Sequence, residues 1–66
     1  MRILLNGEET DTRGAATIAQ LITRFELSSE TILIEHNGVA LHRREWTETH
    51  LTDADRLEII RVAAGG

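Results

Sequence analysis

Apolar and polar residues alternate at the start of the chain, where Met1, Ile3 and Leu5 share one parity and Arg2 and Leu4 the other, and the run stops at Asn6-Gly7. A period of two marks a strand, and Asn-Gly suits the positive φ angles of a type I′ hairpin turn. Residues 1 to 5 and about 9 to 13 are therefore predicted to pair. Gly14 breaks the pattern, and Thr17 followed three positions later by Gln20 matches a capping box, which satisfies two free amide donors at a helix start. Ile18, Leu21, Ile22 and Phe25 then recur at helical spacing, with Gln20, Thr23 and Arg24 on the opposite side. Residues 31 to 35 are β-branched and apolar, and Asn37-Gly38 followed by Val39 and Leu41 predicts a second hairpin with a short return strand. Arg43 to Glu48 reads as a helical turn that inserts Trp46 into the core, and Asp53-Ala54-Asp55 as a turn before a last strand through Val62.

One helix with a single apolar stripe needs one sheet face to cover it. The economical arrangement is a two-layer α+β domain, a β-grasp of the ubiquitin-like kind with a mixed four- to five-stranded sheet packed on one helix. The last strand is the most apolar, which predicts a central position with both faces at least partly covered. Alternation turns Leu57 and Ile59 toward the helix and Glu58, Ile60 and Val62 away from it. Ile60 is read as part of a partner-docking patch. Val62 has two readings, as a member of that patch or as a residue covered by the Arg43 to Leu51 segment. Residues 1–66 are read as one domain ending in a flexible Gly-Gly tail.

Composition narrows the chemistry. A 66-residue domain buries only about 60% of the surface of its unfolded chain, which leaves little room for an enclosed active site. The absence of cysteine removes disulfides, thiolate metal sites and a cysteine nucleophile. Eleven acidic residues face seven arginines and no lysine, for a net charge of −4, which disfavours nucleic acid and favours partners with basic surfaces. No secretory or membrane segment is signalled, so a cytoplasmic setting is expected. Asp53 and Asp55 are read as turn residues, since a hard cation wants more converging oxygens than a two-residue turn supplies. His36, His42 and His50 show no spacing that aims two imidazoles at one ion, and are read as surface or rim residues. No nucleophile, base and orienting group recur together, which argues against an enzyme.

The chain ends on Ala63-Ala64-Gly65-Gly66. Glycine has no Cβ, so such a tail can thread a narrow channel and carry its carboxylate to a partner's reactive centre. The alternative is a frayed terminus with no role.

With the Gly65-Gly66 end, the Asn6-Gly7 and Asn37-Gly38 turns, the Arg44-Glu45-Trp46 run and the Asp53-x-Asp55 turn in place, the chain resembles the ThiS family, the small sulfur-carrier proteins of thiamine biosynthesis. The resemblance covers essentially the whole chain. It departs from the family's usual pattern at His42, where a proline is frequent, and at Ala54, where glycine is common. It implies that the protein is a carrier with no cofactor of its own, monomeric when free, and a co-substrate of partner enzymes. An adenylating enzyme would consume ATP to activate the Gly66 carboxylate, a persulfide donor would convert it to a thiocarboxylate, and thiazole synthase would receive the sulfur. Gly65 and Ala64 would form the thin stem that enters the partner sites. Two alternatives share the tail: the small subunit of molybdopterin synthase, which is usually longer and often has prolines before the tail, and a ubiquitin-like modifier or interaction module.

Overall fold

The computed structural model describes residues 1–62. Five strands and one helix follow the predicted order: β1 (Arg2–Leu5), β2 (Glu8–Asp11), α1 (Ile18–Arg24), β3 (Ile32–His36), β4 (Val39–Leu41) and, after a 3-10 turn at Arg43–Glu45, β5 (Arg56–Arg61). They form one mixed sheet in the order β2-β1-β5-β3-β4, in which β5 lies parallel to β1 and antiparallel to β3. The last strand is central, as its composition predicted. Its environment differs from the prediction in one respect, because α1 covers one face of the sheet and the Arg43 to Leu51 segment sits in the same layer as α1. The backbone bonds from Ala19 N to Trp46 O and from Leu51 N to Ala16 O fix that segment beside the helix. It therefore does not cover Val62.

Both Asn-Gly pairs form the expected two-residue turns, with φ of 51° and 80° at Asn6 and Gly7 and of 50° and 85° at Asn37 and Gly38. The first turn starts β2 at Glu8, directly opposite Leu5, one residue earlier than the hydrophobic pattern suggested. β2 also ends earlier, at Asp11, whose carboxylate accepts a hydrogen bond from Arg13 N at 3.0 Å and turns the chain toward the helix.

Thr17 caps α1 by accepting from Gln20 N at 3.2 Å. The reciprocal half of the capping box shifts by one residue, since the Gln20 side-chain oxygen accepts from Ala16 N at 2.7 Å. Ile18 N and Ala19 N, the remaining free donors of the first turn, are taken by Thr49 O and Trp46 O at 3.1 Å each. The helix ends in a Schellman arrangement: Leu27 N bonds to Ile22 O, Glu26 N bonds to Thr23 O, and Glu26 adopts a φ of 54°.

Ile18, Leu21 and Ile22 of α1 pack against Ile3, Ile32, Ile34 and Leu57 of the sheet, with Trp46 and Leu51 closing the core from the side. Trp46 is buried, as predicted, and its Nε1 has no hydrogen-bond partner among the described residues.

Candidate functional site

The sheet face turned away from α1 is open. Register sets its composition: Leu33 is the direct partner of Ile60, Glu35 of Glu58, and Leu4 of Arg56. Since paired residues share a face, the alternation that buries Ile3, Ile34 and Leu57 turns Leu4, Leu33 and Ile60 outward. Their exposures are 38%, 55% and 47%, and Val62, one step further along β5's line, is 43% exposed. Ile60 therefore lies where alternation placed it, and Val62 is likewise exposed. Leu33 and Leu4 were missed. Leu33 sits between the buried residues Ile32 and Ile34, so alternation along β3 turns it outward just as alternation along β5 does Ile60.

The proposed tail residues Ala64, Gly65 and Gly66 lie outside the described residues. What the structure fixes is the strand that leads to them. Both Asn-Gly turns lie beside β5, and each asparagine does more than supply a turn conformation. Asn6 Oδ1 accepts from Ile59 N at 2.7 Å and its Nδ2 donates to Ile59 O at 3.2 Å, so the side chain continues the β1·β5 ladder after the β1 backbone has turned away. Asn37 Oδ1 accepts from Arg56 N at 2.8 Å, and Asn37 N donates to Arg56 O at 2.8 Å. At its far end β5 is held by Val62 N donating to Thr31 O at 2.8 Å.

The start of β5 is anchored by a buried carboxylate. Asp55 accepts four hydrogen bonds: from Thr52 N at 2.9 Å, Thr52 Oγ1 at 2.7 Å, Asn37 Nδ2 at 3.1 Å and His36 Nε2 at 2.8 Å. Burial pushes its pKa up, but the bonds from His36, the Thr52 backbone and hydroxyl, and Asn37 outweigh burial and hold the carboxyl well below the usual carboxylate range. His36, read as a surface or rim residue, is half-buried and tied to Asp55, whereas His42 and His50 are exposed. Asp53 and Asp55 are indeed turn residues. They do not converge, because Asp53 is exposed and its Oδ1 accepts from Arg2 N at 3.2 Å. Asp55 N donates to Thr52 O at 3.1 Å across a turn whose third residue, Ala54, has a φ of 71°.

The arrangement offers a surface suited to binding, an exposed apolar strip beside a strand held along its length. The family model described as "ThiS family" matches residues 3–66. Sulfur carrier protein ThiS of Bacillus subtilis is 27% identical over 63 residues, covering 94% of this chain and 96% of that protein. A thiazole synthase of Paramagnetospirillum magneticum matches all 66 residues at 26% identity over 20% of its own length. Among solved structures, the crystal structure of thiamine biosynthesis protein ThiS from Geobacter metallireducens superposes with a TM-score of 0.85 at 26% identity, covering 100% of both chains.

Proposed function

Because the chain belongs to the ThiS family, we propose that it acts as a sulfur carrier whose working group is the Gly66 carboxylate. A carboxylate is a poor acyl electrophile. Adenylation by a partner enzyme, with ATP consumed and pyrophosphate released, gives a mixed anhydride from which AMP can leave. The sulfur of a persulfide donor displaces AMP, and a thiol then reduces the resulting acyl disulfide to leave a thiocarboxylate. Gly65, lacking a Cβ, and the small Ala64 let the tail lie in a narrow partner channel. The domain supplies no catalytic side chain in this scheme. It supplies recognition, through Ile60, Val62 and their neighbours on the open sheet face.

The observation that carries the reading is a family match that runs through both terminal glycines. The region matched within a thiazole synthase supports thiazole formation as the destination of the sulfur. The reaction belongs in the cytoplasm, where ATP and persulfide donors are present, and the protein would serve it as a monomer.

Incubation with ATP, magnesium, the activating enzyme and a persulfide donor, followed by intact mass measurement, tests the proposal. Exchange of one oxygen for one sulfur at Gly66 is expected, and deleting Gly66 should abolish loading with the fold intact. A modification mapped to any internal residue would refute it.

A further inference from the structure

The open sheet face carries a charge arrangement that the domain leaves unresolved. Glu35 on β3 and Glu58 on β5 are direct cross-strand partners, and like charges so placed work against sheet pairing. Neither carboxylate joins an ion pair among the described residues, and the sequence after Val62 holds only alanine and glycine. Arg56 shares the face without pairing to either. Glu35, Gly38, Arg56 and Glu58 line an open depression of about 220 Å³. Two residues further along β5, a distance of about 7 Å, Leu33 and Ile60 form an exposed apolar pair. From the end of β5 inward, the face thus presents Val62, then an apolar pair, then an unpaired acidic pair.

We propose that this face docks the activating enzyme through an apolar contact on Leu33 and Ile60, and that an arginine of that enzyme seats between Glu35 and Glu58. Charge complementarity selects the occupant. Two adjacent carboxylates on a protein of net charge −4 call for a cation, and the planar guanidinium fork can donate to both at once, which a lysine ammonium does less well. A second copy of the chain is a poor occupant, because a two-fold interface on this face would bring the same acidic pairs together. In the free protein the carboxylates repel, and docking relieves the repulsion, so the pair favours the complex over the free state. The inference rests on the sulfur-carrier reading, which supplies the activating enzyme as partner.

The test is the double variant Glu35→Gln/Glu58→Gln, which removes both charges and keeps both shapes. Its melting temperature should equal or exceed that of the unsubstituted protein. Its affinity for the activating enzyme should fall roughly tenfold or more at low salt, with a flatter dependence on ionic strength. Unchanged affinity and salt dependence would overturn the assignment, as would a loss of binding matched by a loss of thermal stability. If the double variant binds normally while the unsubstituted protein is still loaded with sulfur, the docking assignment alone fails. If the unsubstituted protein neither binds the enzyme nor accepts sulfur, both readings fail.

Discussion

Replacing Ala54 with glycine should stabilise the protein. Ala54 occupies the left-handed region at a φ of 71°, in the third position of a turn, which a type II turn gives to glycine. Its Cβ crowds the following carbonyl there, at a cost of about 1–2 kcal/mol for an L-residue. The conformation is held from outside, because Ala54 N donates to Arg2 O and Asp53 Oδ1 accepts from Arg2 N, which stitches the turn to β1. Glycine would remove the strain and keep both bonds. Ala54 is exposed, so little buried area is lost with the methyl. Against the gain stands the greater freedom of glycine in the unfolded chain, about 0.4–1 kcal/mol. The difference runs from about 0 to 1.6 kcal/mol of net stabilisation with a midpoint near 0.8 kcal/mol, which is roughly 3–6 °C in melting temperature for a domain of this size. Thermal melts followed by circular dichroism, with urea titrations to show that the midpoint moves at constant slope, would measure it. Ala54→Val should move the midpoint the other way. A glycine variant that melts at or below the temperature of the unsubstituted protein would refute the strain argument.

Asp55→Asn should lower stability at neutral pH by about 1.5–3 kcal/mol, because an amide cannot accept all four of the present donors. Since the folded pKa of Asp55 is depressed, its contribution is fully present above the unfolded value of about 3.9 and is lost as pH falls below it. Urea unfolding followed from pH 7 down to about pH 2 should accordingly show a steeper loss below about pH 4 in the unsubstituted protein than in the variant. On β5, Leu57→Glu should unfold the domain, because Leu57 is fully buried and an unpaired buried charge costs several of the 5–15 kcal/mol that such domains have in total, to order of magnitude. Ile60→Glu should melt within a few degrees of the unsubstituted protein while losing affinity for the activating enzyme, and the reverse pattern in the two melts would mean the strand faces are assigned backwards.

Much of this architecture was legible because its signals are local. The Asn6-Gly7 and Asn37-Gly38 turns, the Thr17/Gln20 cap and the Ile18 to Phe25 stripe each lie within a few residues of the structure they specify. So do the two faces of β5, where Leu57 and Ile60 fell as alternation required. What escaped depends on contacts between distant parts of the chain. The side chains of Asn6 and Asn37 reach Ile59 and Arg56 across 53 and 19 positions of sequence, and His36 meets Asp55 only once β3 and β5 are paired. The open sheet face was half legible for the same reason. Ile60 could be placed from its own strand, whereas the opposition of Glu35 to Glu58 needs the register between two strands, and no pattern within either one carries it.

The parallel pairing of β1 with β5 also determines how the domain answers force. β1 begins at the amino end of the chain and β5 leads to the carboxyl end, so tension between the two ends runs along both strands in opposite senses. The bonds joining them, Leu4 N to Asp55 O and Asn6 N to Leu57 O at 2.8 Å each and Ile59 N to Asn6 Oδ1 at 2.7 Å, lie side by side across that line of pull. They are loaded together in shear, and none can open first as the outermost bond of an antiparallel hairpin would. Drawing the carboxyl end away from the body of the domain therefore loads these bonds as a group, and the central strand resists being pulled out along its own axis.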